Sequence, residues 1–250
     1  MEYTVAAVHE ALRVLMHVAH APGLGVTELA RRSGNTKARA FRLLSTLEQS
    51  GFVQRGPTDT DYVLGPMALV LGLAAQEQVS LARLGRRHLE ALGQRFDENV
   101  QIRVRDGLES VTVAKWDSSQ GVRVHSEIGV RRALHAGASG KLLLAFAPEA
   151  LQSQVLDGPL DRFTAQTPSQ KTKLAREIAQ VREQGYAVSK GEVFGGVVAV
   201  AVPVLDARGE VIAALGMSIP EVRAPDDLSP QIHALTGAAQ ALSRELGWPG

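Results

Sequence analysis

The chain contains no cysteine. Disulfides, thiolate nucleophiles and cysteine-ligated zinc are excluded, and the composition fits a reducing, cytoplasmic setting. No sign of charge dominates: 27 Lys and Arg stand against 26 Asp and Glu, a net of +1. Bulk electrostatics therefore argue neither for nor against a nucleic-acid partner. A long apolar run is missing too, because the opening MEYTVAAVHEALRVLMHVAHA has no basic leader and is broken by Glu10, Arg13 and His9, His17 and His20. It reads as neither a signal peptide nor a membrane span. The H-E-x-x-H helix, a pair of acid-base carboxylates and the G-x-S-x-G elbow are likewise absent, so the expectation is no enzyme, no metal and no cofactor.

What is present suits a chain that buries a core. Hydrophobic residues make up 45% and charged residues 21% of 250 residues, enough for one large domain or two smaller ones.

The first part of the chain organises itself as a reader of DNA. Val5, Val8, Leu12, Leu15 and Val18 or Ala19 recur at helical spacing, predicting an amphipathic helix over residues 4–20 with Thr4 as its cap. Pro22, Gly23 and Gly25 end it, and Thr27 then caps a short helix in VTELARRS. After the turn Ser33-Gly34-Asn35 comes TKARAFRLLSTLEQSG, whose Ala38, Phe41, Leu44 and Leu47 or Glu48 mark an inner face. Its opposite face carries Asn35, Arg39, Arg42, Thr46 and Gln49. Arg31, Arg32, Lys37, Arg39 and Arg42 fall within a dozen residues without an acid among them, the local footprint of phosphate contact. Two helices joined by a short turn, the second polar and basic outward, make a helix-turn-helix whose second helix enters the major groove. Period-two alternation at residues 52–55 and 62–64 around GPTDTD adds a hairpin, hence a wing.

Residues 66–77 read as a helix apolar on more than one side, which calls for partners on both sides, the flanking domains or a second protomer. Beyond it, LARLGRRHLEALGQRF predicts an amphipathic helix, and VQIRVRD, SVTVAKW and VRVHSE predict strands. Helices are expected to about Phe146, over residues 148–156, in SQKTKLAREIAQVREQG and over residues 229–246. The strands VVAVAVPVL and VIAALGMSI, joined at residues 206–209, are apolar on both faces and belong inside a sheet. The expected fold is α+β: domains at residues 1–65 and 80–250 joined by a linker helix over 66–79, the larger an antiparallel sheet with helices on its faces. His125 and His135 read as structural.

The stretch HAGASGKLLLAF at residues 135–146 imitates a phosphate loop. It fails at two positions, since His135 stands where the first Gly belongs and Leu142 where the metal-binding hydroxyl belongs. Two alternatives remain, an ordinary helix start or a helix N-terminus that cradles an anion.

Taken in order, VTELARRSG, FRLLSTLE, GFV and Y-x-L-G in the first domain, then H-A-x-A-S-G-K, L-L-A-F, G-Y-A-V, A-V-P-V-x-D and IAALGMSIP, resemble the IclR family of bacterial transcriptional regulators. The resemblance implies a winged helix-turn-helix, a linker helix and a GAF-like domain that binds a small metabolite, often an organic or aromatic acid. It further implies a homodimer or a dimer of dimers on double-stranded operator DNA, and the lack of an apolar span adds the expectation of no membrane partner. The residues expected at DNA are Thr27, Thr36, Lys37, Arg39, Arg42, Thr46 and Arg55. Those implied at the effector are Val124, Gly137, Ala138, Ser139, Ser189, Ala199, Gly216 and Ser218.

Two departures stand out. Ser189 and Ala199 replace the acid and the cysteine common in relatives, which points to a less polar pocket, a more apolar ligand, or an effector-independent regulator. Lys37-Ala38-Arg39 replaces Lys-Ser-Thr, so Arg39 is expected to reach a phosphate or a guanine edge. A GAF-like reductase fused to a reader is the remaining alternative class, and the lack of cysteine argues against it. Repression and activation are equally compatible with the sequence.

Overall fold

The computed structural model describes residues 4–78 and 80–250; the expected linker boundary at residue 79 lies outside them. The chain divides into two compact units that meet at residues 79 and 80.

In the N-terminal unit, helices α1 (Ala6–His20), α2 (Val26–Ser33) and α3 (Lys37–Gln49) pack around Val14, Val18, Leu29, Leu44 and Leu47. Strand β1 (Leu24–Gly25) pairs with β3 (Asp61–Leu64), which pairs with β2 (Val53–Arg55), all antiparallel. Gly34 turns α2 into α3 in the left-handed region, at φ 69°, where a side chain would be strained. The hairpin closes tightly: a Cβ on Gly65 would lie 2.3 Å from the Gly51 carbonyl oxygen. Helix α4 (Pro66–Gln78) follows directly.

Four helix expectations need correcting. Thr4 does not cap α1, where Val5 is the N-cap, and Thr27 does not cap α2, which starts one residue earlier behind Gly25. The N-cap Val5 and, in α1, Val8 and Leu12 are 67%, 57% and 55% exposed, whereas Val14 and Val18 are fully buried. This helix carries two apolar stripes, and periodicity alone does not say which one meets the core. In α3 the buried residues are Ala40, Leu44 and Leu47, while Ala38 and Phe41 are exposed. A strict three-residue spacing slips about 60° per step on a 3.6-residue helix, so positions 38 and 47 face roughly opposite ways.

The C-terminal unit opens with α5 (Leu81–Phe96), then β4 (Asn99–Asp106), β5 (Glu109–Trp116), β6 (Arg131–Ala133), α6 (Ala138–Ala145), α7 (Glu149–Asp157) and α8 (Lys171–Gln184). It ends with β7 (Ala187–Lys190), β8 (Val197–Leu205), β9 (Val211–Pro220), a short 3-10 turn and α9 (Ser229–Glu245). The six strands form one antiparallel sheet in the order β6-β5-β4-β9-β8-β7.

The two faces of this sheet differ in side-chain size, and that difference creates the cavity described below. One face presents Val100, Ile102, Val200, Val202, Leu215, Met217 and Ile219 to α5 and α9. The other presents small residues in register: Ser189, Ala199 and Ser218 in one row, Ala187, Ala201 and Gly216 in the next. Helices α6 and α8 cover this second face through Leu142 and Leu174.

The segment VRVHSE is not a strand; residues 122–127 run as irregular chain. Its carbonyls are taken by side chains rather than by a ladder: Arg223 donates to Val122 O at 2.8 Å and Lys115 to Ser126 O at 2.7 Å. The edge strands β6 and β7, absent from the sequence expectation, are three and four residues long, too short for alternation to register.

Candidate functional site

The recognition helix α3 starts under the Thr36 hydroxyl, which accepts from the Arg39 N–H at 3.3 Å. Arg42, Thr46 and Gln49 are exposed, and Asn35, half-buried, is tied back to the Ser33 hydroxyl at 3.1 Å. Thr46 donates to the Arg42 carbonyl at 3.0 Å. The basic cluster is less uniform than its sequence. Glu28, just upstream, accepts from Arg31 at 2.6 Å and from Arg32 at 2.7 Å. Hydrogen bonds from Arg31, then Arg32, hold its carboxyl down at about 2, so it stays charged and occupies both cations.

The Arg39 guanidinium, expected to face outward freely, is instead paired with Glu10 of α1. Arg55 lies over the Tyr62 ring at 4.4 Å, 3.2 Å from Glu48 and 3.2 Å from the Asp59 carbonyl. Lys37 and Arg42 are the cations of this cluster with no ion-pair partner among the described residues. They flank a shallow apolar basin that also involves Val26, Ala38 and Phe41. Thr27 is exposed in the first turn of α2.

In the C-terminal unit a cavity lies between the small-residue face of the sheet and the first turn of α6. It holds about 580 Å³ of empty space, its mouth included, a size that admits only a compact ligand. The sheet supplies Gln101, Arg103, Ser189, Ala199 and Ser218; the α6 turn supplies Gly137, Ala138 and Ser139; loops supply Val124, His125, Glu192, Val193 and Phe194. Of the eight residues expected at the effector, seven line this cavity. Gly216 does not; it lies beneath Ser139, whose hydroxyl would be 2.9 Å from a Cβ there. That glycine lets α6 approach the sheet.

The turn at residues 137–139 is not an open anion cradle. The Gly137 N–H donates to Glu192 Oε2 at 2.9 Å and the Ala138 N–H to the Ser189 hydroxyl at 3.1 Å. Lys141 is buried, with Nζ 2.5 Å from Glu192, 2.8 Å from Glu177 and 3.3 Å from the Val188 carbonyl. The acid missing at position 189 is thus supplied three residues later. His135 is buried, with Nε2 2.8 Å from the Asp161 carbonyl and its ring stacked on Phe163.

Sequence reasoning missed two arginines that line the cavity. Arg103 is 2% exposed, yet among the described residues no carboxylate pairs with it. Its bonds run to Ser110 Oγ at 3.1 Å, Thr112 Oγ1 at 2.6 Å, the Ser110 carbonyl at 2.7 Å and the Val130 carbonyl at 3.1 Å. Burial, and after it the Arg132 charge, lowers this guanidinium to about 10. Arg132 sits over the Phe194 ring at 4.6 Å, and burial lowers it as well. The signal was present in VQIRVRD: beside the inward Val100 and Ile102, Gln101 and Arg103 must face the other side of a sheet covered on both faces. Among the described residues no cluster of His, Asp or Glu could hold a metal, and no helix is long and apolar enough to cross a membrane.

A winged helix-turn-helix followed by an α+β domain with an internal cavity defines the class of two-domain DNA-binding regulators. Residues 7–57 match the IclR helix-turn-helix domain and residues 73–244 the bacterial transcriptional regulator IclR C-terminal domain, so the chain belongs to the IclR family of transcriptional regulators. It is 32% identical to the HTH-type transcriptional regulator XynR of Escherichia coli over 98% of both chains. An IclR transcriptional regulator from Silicibacter sp. TM1040 superimposes with a TM-score of 0.86 at 30% identity, covering 98% of this chain and 97% of that one. An IclR homologue from Microbacterium hydrocarbonoxydans, solved with 4-hydroxybenzoate, gives a TM-score of 0.63 at 26% identity over 96% and 99%. The curated relatives are transcriptional regulators rather than enzymes.

Proposed function

We propose that this DNA-binding regulator is governed by a small organic acid bound in the C-terminal cavity, and that occupancy changes its affinity for operator DNA. The observation that carries this reading is the cavity itself: a compact space walled by a small-residue sheet face and lined by polar and cationic groups. The 4-hydroxybenzoate complex of a relative supports the same ligand class. On the DNA side, Lys37, Arg42 and Thr46 are the residues we assign to the duplex, with Arg39 joining them when it leaves Glu10. Thr27, Thr36 and Arg55 are assigned to backbone contact at the edges of the helix and the wing.

The reading includes pairing of two copies. Leu69, Val70, Leu71 and Leu73 of α4 are 54–66% exposed, and α1 exposes Val5, Val8, Leu12 and Met16. Apolar faces of this extent call for a partner, and a two-fold protein matches two half-sites. The test is fluorescence anisotropy on an operator selected from random duplexes, with and without a panel of small carboxylates. At least one acid shifts affinity fivefold or more, within the usual range of coupling energies; a flat response across acids that demonstrably bind sinks the reading.

A further inference from the structure

The effector cavity has two ends of opposite electrostatic character. At the α6 end the Glu192 carboxylate lines the cavity; behind it, outside the cavity, Lys141 lies between Glu192 and Glu177. Glu192 also takes the Gly137 N–H, so the protein fills this helix N-terminus with its own anion. A second carboxylate placed there would meet like charge. At the other end Arg103 and Arg132 carry two positive charges with no carboxylate in contact among the described residues, and four neutral oxygens accept from Arg103. One of the five N–H groups of Arg103, on Nη1, is left over. A buried cation without a counter-ion is costly unless something pairs it.

We infer that Arg103 and Arg132 form the carboxylate anchor of the effector, and that Ser189 and Ser218 receive a hydroxyl or other neutral polar group at its far end. The residues opposite each end fix the ligand's length. Ser218 and Ala214, which faces Arg103, are four residues apart on β9, about 13 Å at the usual strand rise. The Arg103 guanidinium turns toward β5, and the cavity of about 580 Å³, mouth included, has room for a single ring or a chain of a few carbons. Val124, Val193, Phe194 and Ala199 provide the apolar walls between the ends. The class is therefore a hydroxylated monocarboxylate, oriented with its acid away from α6. This inference rests on the cavity being an effector site.

The test is calorimetric titration of the full chain with acetate, benzoate, 4-hydroxybenzoate and the neutral 4-hydroxybenzamide, alongside melting of each unliganded variant. In wild type the acid binds at least tenfold more tightly than the amide, as expected for a charge-assisted contact. Arg132→Gln weakens the acid at least tenfold and Arg132→Lys less; Arg103→Gln does the same where it folds, and Arg132→Gln carries the test if it does not. Glu210→Gln, on the exposed turn between β8 and β9 and outside the cavity, leaves acid affinity within about twofold. Acid binding that survives both Arg→Gln changes, or that rises tenfold in Glu192→Gln, overturns the anchor but keeps the sensor. Failure of every carboxylate to bind wild type at tens of millimolar overturns both.

Discussion

Arg103 is the residue whose chemistry departs most from its surroundings. Its folded pKa lies below the ordinary guanidinium range, so the folded state bears a cost below about pH 10 that is relieved only as pH rises through that value. A carboxylate paired with it offsets this cost. The melting gain given by bound benzoate should hence be flat between about pH 6 and 9, since the cation titrates well above that window. A gain that fades within the window would place the acid on another group. At the DNA face, Arg42→Ala should weaken binding across all sequences and reduce the slope of log affinity against log salt by about 1, if it meets a phosphate. Glu10→Gln should strengthen operator binding only while Arg39 is present; equal effects with and without Arg39 in a double-mutant cycle by gel shift would show that the pair is merely structural. The motif positions Ser189, Ala199, Ser218 and Val124 were legible because their neighbours in sequence mark them. Arg103, Arg132 and Glu192 were not, because two separate strands and a loop bring them together.

At the scale of elements, the long strands β4, β5, β8 and β9 and the helices α5 to α9 were readable, since each repeats its pattern over eight or more residues. The edge strands β6 and β7 and the loop at residues 122–127 were not. Their conformation is set by side chains from elsewhere, among them Lys115 and Arg223. Which stripe of α1 and α3 buries was also beyond periodicity, because a second helix decides it. Close packing makes a prediction here: a Cβ on Gly93 would lie 2.1 Å from the Trp116 ring. Gly93→Ala should therefore lower stability by about 1–3 kcal/mol through overpacking, read by urea unfolding. An unchanged midpoint would mean α5 sits farther from the sheet. Replacing Leu69 and Leu73 of α4 with Lys should shift the chain toward monomer in analytical ultracentrifugation; an unaltered distribution would remove α4 from the interface.

For the molecule as a whole, the order of helices, hairpin and sheet was legible because two kinds of pattern agreed, basic helical spacing first and apolar strands after. The sequence also located the cavity through its small residues, but positions 189 and 199 alone did not reveal the two arginines that line it. The central claim is linkage between the cavity and the DNA-reading head. Such linkage requires the acid to favour one arrangement of the paired heads, and it is reciprocal: operator DNA must change acid affinity by the same factor that acid changes operator affinity. The most direct measurement is the operator affinity of wild type and Arg132→Gln, each with and without saturating acid, by fluorescence anisotropy at fixed salt. The account predicts a shift of at least fivefold in wild type that is lost in Arg132→Gln at the same acid concentration. A wild-type affinity that does not move while the acid is bound would contradict it.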